Sequence, residues 1–147
     1  MLMRSCGGNV AGKQGRIRLK GRVFSGFGEG GFYVSLEHYR KQFKEKLGFD
    51  PYPGTLNLKL DTDSLKARRI LAAKDGIRIE PYSDGQKCYC GAKCFMVLIE
   101  GKIRGAIVVP EVTRYGDDVI ELLAPVYLRR ALKLRDGDQV TVEILDH

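Results

Sequence analysis

Four glycines fall within six positions from Gly26 in the segment Ser25-Gly-Phe-Gly-Glu-Gly-Gly31. Glycine at this density lets the backbone adopt positive φ and turn successive N–H groups inward, as in the nests that hold phosphate oxygens. The flanks predict a strand before the loop and another, Phe32–Ser35, after it. The segment is therefore either a phosphate cradle or a plain flexible hairpin connection. A Rossmann or Walker loop needs a helix next, and no Gly-Lys-Ser/Thr is present. Strand-loop-strand is the layout of the loop covering ATP in protein kinases, but 147 residues are too few for that fold and the HRD and DFG elements are missing.

A second polar group comes from Leu47-Gly-Phe-Asp-Pro-Tyr-Pro-Gly-Thr-Leu-Asn-Leu-Lys-Leu60, whose prolines deliver the chain rigidly into a strand. Alternation puts Thr55, Asn57 and Lys59 on one face and Leu56, Leu58 and Leu60 on the other. A hydroxyl, an amide oxygen and an ammonium in line suit a hydrated Mg²⁺ with its phosphates, and equally make an outward-facing polar row. Glu121 shares a face with Val119 and Leu123 on another predicted strand, where a carboxylate is out of place unless it meets a ligand. Cys88-Tyr-Cys90-Gly-Ala-Lys-Cys94 invites a zinc reading, yet no second CxxC and no nearby histidine complete it, so free buried or half-buried strand thiols are expected. His38 and His147 are the only histidines, which makes a Ser-His-Asp or Cys-His hydrolase hard to assemble. Phosphoryl transfer rests on positioning and electrostatics and requires no histidine.

The elements that must position these groups are mostly strands. Arg16–Phe24, Phe32–Ser35, Gly54–Leu60, Lys87–Ile99, Ile103–Val109, Val119–Leu123 and Gln139–Leu145 alternate or run apolar, with turns at Glu100-Gly101 and Asp136-Gly137. Three helices are predicted. One runs from a Ser35 N-cap through Tyr39, Phe43 and Leu47 to Gly48; the others cover Asp63–Ala73 and Pro125–Leu134, with Pro125 at a first helical position. The result is a mainly β single domain, residues 16–147, preceded by a flexible lead-in over residues 1–15 that has no apolar h-region. No apolar run is long enough to span a bilayer, so a cytoplasmic protein is expected. The net charge of +7 points to an anionic partner, a nucleic acid or a phosphorylated small molecule. Arg16, Arg18, Lys20 and Arg22 alternate with apolar residues, as a solvated strand face or as a nucleic-acid stripe on a basic β-barrel module.

Taken in order, Gly21-Arg-Val-Phe-Ser-Gly-Phe-Gly-Glu-Gly, the long Leu47 to Leu60 motif, Gly105-Ala-Ile-Val-Val-Pro and Ala124-Pro-Val-Tyr-Leu-Arg129 followed by Asp136-Gly-Asp closely resemble the archaeal CTP-dependent riboflavin kinases. The resemblance implies a six-stranded cradle-loop barrel, related to swapped-hairpin DNA-binding proteins, that phosphorylates riboflavin to FMN with CTP, leaving CDP. It also implies that Gly26, Phe27, Gly28, Glu29, Gly30 and Gly31 together with Val126, Tyr127, Leu128 and Arg129 hold the nucleotide. Thr55 and Asn57 would bind Mg²⁺, and Thr113 and Glu121 would contact the flavin. Some members carry an N-terminal helix-turn-helix domain, for which no room is seen before Gly21, so nucleic acid is not an expected partner. Nor does the basic stripe carry an aromatic platform for single strands.

Overall fold

Arg18, Lys20 and Arg22 alternate with Leu19, Gly21 and Val23, and this period of two sets the first strand, β1 (Arg18–Phe24), with its basic side chains outward and the others buried. The structure is a computed structural model that describes residues 17–27, 30–113 and 115–145. Arg16 and the expected lead-in lie outside the described residues, as does His147. After β1 come two helices, α1 (Gly30–Ser35) and α2 (Glu37–Leu47), then β2 (Leu56–Leu60), a 3₁₀ turn (Thr62–Ser64) and α3 (Leu65–Ala72). Next are β3 (Ile77–Ile79), β4 (Tyr82–Ser83), β5 (Cys88–Tyr89), β6 (Ala92–Ile99), β7 (Ile103–Pro110) and β8 (Val119–Leu123), followed by α4 (Leu128–Ala131) and β9 (Gln139–Ile144).

Six strands in the order β6-β7-β8-β2-β1-β9 are joined by antiparallel pairing, and β9 pairs back onto β6, closing a barrel. β3 extends the sheet beside Ala92–Cys94, and β4 and β5 form a separate two-stranded ribbon. Leu19, Val23, Leu56, Leu58, Leu60, Val97, Ile99, Ile107, Ile120, Leu122, Val140 and Val142 pack in the main core. Each such side chain contributes roughly 1.5–3 kcal/mol on burial. A second cluster places Tyr39, Phe43 and Leu47, one apolar stripe of α2, against Ile79, Ala92, Cys94, Met96, Ala106 and Leu123. The helix stops at Gly48, whose φ of 84° and N–H to the Lys44 carbonyl form a left-handed C-cap.

Several expectations need correction. Residues 32–35 are helical, not a strand, despite Tyr33 and Val34. Both edges of β1 are already taken by β2 and β9, so the segment cannot form a hairpin with β1, and Val34 is buried beside α2 instead. The glycine loop thus leads into a helix, and the strand-loop-strand layout fails. Leu36, not Ser35, occupies the N-cap position of α2, with no side-chain cap. Lys87–Ile99 breaks at Gly91, where a Cβ would come within 2.6 Å of the Ile79 carbonyl oxygen and the N–H donates to Glu111 Oε1 at 2.8 Å. Pro125–Leu134 contracts to the single turn α4, whose N-cap is Tyr127. The Glu100-Gly101 hairpin is present, with φ of 53° and 66° as a type I′ turn requires.

Candidate active site

Because β1, β2 and β8 are neighbours, their register sets Phe24 beside Asn57 and Asn57 beside Glu121, one row across the sheet. Thr55, two residues before Asn57, falls on the same face by alternation. Its Oγ1 lies 3.2 Å from Glu121 Oε1 and 3.4 Å from Asn57 Oδ1. Three oxygens of different origin therefore converge, only one of them from a carboxylate. All three residues line a cavity of about 800 Å³.

Ser25, Gly26 and Phe27, where β1 runs out, form one rim of this cavity. The chain passes close to the site at Gly26: a Cβ there would run into the Tyr115 hydroxyl and the Asn57 amide and displace them. The Phe27 N–H donates to Tyr115 Oη at 2.9 Å. The Phe27 ring stacks on that of Tyr115 with centroids 5.3 Å apart, and Phe24 meets the same ring edge-on. Arg129, projecting from α4, also lines the cavity, and its Nη2 donates to Asp136 Oδ1 at 2.8 Å. Asp136 Oδ2 accepts from the Ser25 hydroxyl at 2.9 Å. The guanidinium and that hydroxyl hold the Asp136 carboxyl below its ordinary range, the guanidinium contributing most.

Elsewhere the wall is aromatic and apolar. Val34, Tyr39, Phe43, Ile79 and Ala92 reach it from the second core cluster. The Tyr39 hydroxyl donates to the Cys90 carbonyl at 2.6 Å, and burial pushes its pKa up to about 12. Tyr52 and Tyr127 stack at 4.8 Å, with the Arg130 guanidinium 5.8 Å from the Tyr127 ring centre. Cys88 and Cys90 line the cavity as free thiols, whereas Cys94 is fully buried in the core.

Of the residues singled out in the sequence, Gly26, Phe27, Thr55, Asn57, Thr113, Glu121, Tyr127 and Arg129 line this one cavity. Gly28 and Glu29 lie outside the described residues, and Gly30 and Gly31 open α1. Val126 is exposed and Leu128 turns into the main core, so neither side chain lines the cavity. The basic face of β1 is turned to solvent: Arg18 pairs with Glu143 at 3.9 Å, and Arg22 Nη1 donates to the Gly137 carbonyl at 2.9 Å. Sequence reasoning missed Tyr115, Tyr52 and the role of Asp136. Tyr52 was visible only as part of the Leu47 to Leu60 motif and Asp136 only as part of the Asp-Gly-Asp turn.

The family model CTP-dep_RFKase, described as Domain of unknown function DUF120, matches residues 23–144. The chain is 56% identical over 129 residues to a riboflavin kinase of Pyrobaculum aerophilum, covering 88% of this chain and 61% of the relative. It is 52% identical over 132 residues to a riboflavin kinase of Archaeoglobus fulgidus, with coverages of 90% and 56%. A riboflavin kinase of Methanosarcina barkeri is 48% identical over 128 residues, with coverages of 87% and 56%. The chain therefore spans a little over half the length of the curated relatives it matches.

Proposed function

Since the chain belongs to the CTP-dependent riboflavin kinase family, we propose that it transfers the γ-phosphoryl group of CTP to riboflavin, giving FMN and CDP. The family's name supports CTP, and the relatives' names support riboflavin. The observation that carries the reading is the meeting, in one cavity, of the Thr55, Asn57 and Glu121 oxygens with the Gly26 rim and the Arg129 guanidinium.

In this reading the terminal ribityl hydroxyl attacks the γ-phosphorus. A new P–O bond forms, the bond from the γ-phosphorus to the bridging oxygen breaks, CDP leaves with that electron pair, and the hydroxyl proton is released. Such a transfer depends on alignment and charge more than on covalent chemistry. Gly26 allows the backbone to approach the phosphates, and Arg129 presents a fixed cation to them. The Glu121 carboxylate accepts a hydrogen bond from the attacking hydroxyl, and Thr113 stands on the flavin side. The apolar wall around Phe43, Ile79 and Val108 suits a flat heteroaromatic ring and keeps water out.

Thr55 and Asn57 fit Mg²⁺, a hard cation that takes neutral oxygens and leans on substrate phosphates and water for the rest. Bound there it would supply charge neutralisation and a template for the phosphate chain. We place the reaction in the cytoplasm, where the free thiols of Cys88, Cys90 and Cys94 persist. No helix among the described residues is long and apolar enough to cross a membrane. The test is incubation of the protein with riboflavin, Mg²⁺ and each nucleoside triphosphate in turn, with FMN read by chromatography. Far faster FMN formation with CTP is expected; equal rates with ATP, or no FMN at all, would overturn the assignment.

A further inference from the structure

One carboxylate ties together two parts of the cavity that come from distant stretches of chain. Asp136 Oδ2 accepts from the Ser25 hydroxyl at 2.9 Å, Oδ1 accepts from Arg129 Nη2 at 2.8 Å, and that same Nη2 lies 3.4 Å from Ser25 Oγ. The three side chains form a closed triangle. Ser25 precedes the glycine rim, and Arg129 stands on α4. Both line the cavity, while Asp136 does not and stands behind them.

The carboxylate itself rests on a fixed platform. Its turn is clamped to β1 by the Gly137 N–H to the Val23 carbonyl at 2.7 Å and the Val23 N–H to the Asp138 carbonyl at 2.9 Å. The turn is closed by the Asp138 N–H to the Arg135 carbonyl at 3.0 Å and the Arg135 N–H to Asp138 Oδ2 at 2.8 Å. An arginine has several rotatable bonds, and its value as a phosphate clamp depends on how much of that freedom is removed beforehand. Using one donor on a fixed carboxylate orients the planar fork and leaves its other donors for a ligand.

We infer that Asp136 is a positioning residue for nucleotide binding, which holds Arg129 and the Ser25-Gly26 rim in the geometry that receives a nucleoside diphosphate moiety. The inference rests on the nucleotide reading of this cavity. It assigns to Asp136 no contact with either substrate.

The test is calorimetric binding of CDP with Mg²⁺, and separately of riboflavin, to the full chain and to Asp136→Ala, Asp136→Asn, Arg129→Ala and the Asp136→Ala/Arg129→Ala pair. Asp136 is half exposed, with 55% of its side chain accessible, so these variants should keep their thermal midpoints. Asp136→Ala is expected to weaken CDP about tenfold, the order of one charge-assisted hydrogen bond, and to leave riboflavin unchanged. In the Arg129→Ala background the same substitution should cost less than in the parent, because only its hold on Ser25 remains to be lost. Undiminished CDP affinity in Asp136→Ala and Asp136→Asn would overturn the inference. So would tighter binding, which would make Asp136 a competitor of phosphate for Arg129, or equal losses for both ligands, which would mark general loosening. A parent protein that binds riboflavin but no cytidine nucleotide would remove the nucleotide reading itself, and this inference with it.

Discussion

Thr55 and Glu121 come from opposite sides of the β2–β8 pair, and the Thr55 hydroxyl donates to Glu121 Oε1 at 3.2 Å. The contact fixes a carboxylate beside Asn57 and makes one polar cluster of residues that the sequence offered as two separate features. The two strands can hold it because register alone sets Asn57 opposite Glu121.

Asn57→Leu should preserve the fold and lower turnover by about 10² or more, since it removes an oxygen from the centre of this cluster. FMN formation over a range of Mg²⁺ concentrations, with thermal unfolding as a control, checks it. A variant with near-parental rate and metal dependence would show that the row merely faces solvent.

Glu121→Gln keeps an oxygen for the Thr55 hydroxyl and loses the charge. Loss of a general base costs about 10²–10⁴ in rate, and loss of one orienting hydrogen bond costs on the order of tenfold. Since a metaphosphate-like transition state asks little of a base, the smaller loss is expected, together with weaker riboflavin binding. A large loss of turnover at unchanged riboflavin affinity would assign Glu121 the base role instead.

Gly26→Ala places a methyl group against the Tyr115 hydroxyl and the Asn57 amide. Forced overpacking costs about 1–3 kcal/mol, and here the strain falls on the rim itself. The KM for CTP should rise by about tenfold or more, with a smaller change for riboflavin; steady-state kinetics with each substrate varied in turn decides it.

Burial pushes the Cys94 thiol from its ordinary 9.0 up to about 12. A raised folded-state value means that the contribution is complete below pH 9 and is lost as pH rises toward 12. Tyr39, raised to about 12 chiefly by burial, acts in the same direction. Urea midpoints should therefore fall across that window, and less steeply in Cys94→Val. At neutral pH, iodoacetamide should label exposed Cys88 and spare Cys94 until the protein unfolds.

The barrel strands were legible because one face of each is buried and the other is not, so alternation reports them directly, as in Leu56, Leu58 and Leu60. Residues 32–35 were misread because Tyr33 and Val34 carry strand propensity, while the decisive fact was that β1 had no free edge. The three-residue β3 gave too short a pattern to detect. In the site, Thr55 and Asn57 were visible as neighbours on one strand. The Ser25–Asp136 and Phe27–Tyr115 contacts were not, because their partners are far apart in the chain and meet only once the barrel exists.

Closure of the barrel has a kinetic consequence. β1 sets Arg18 opposite Glu143, and β6 sets Val97 opposite Ile144, so the first and last strands of the described chain must meet before either is fully paired. Contacts of such long sequence separation incur loop-closure entropy before they return any stabilisation. Refolding should therefore fall in the millisecond-to-second range typical of non-local β topologies, and a chain growing from the ribosome cannot seal the barrel until β9 has emerged. Until then β1 and β6 each present an unpaired edge, which is when this chain is most exposed to pairing with another copy of itself.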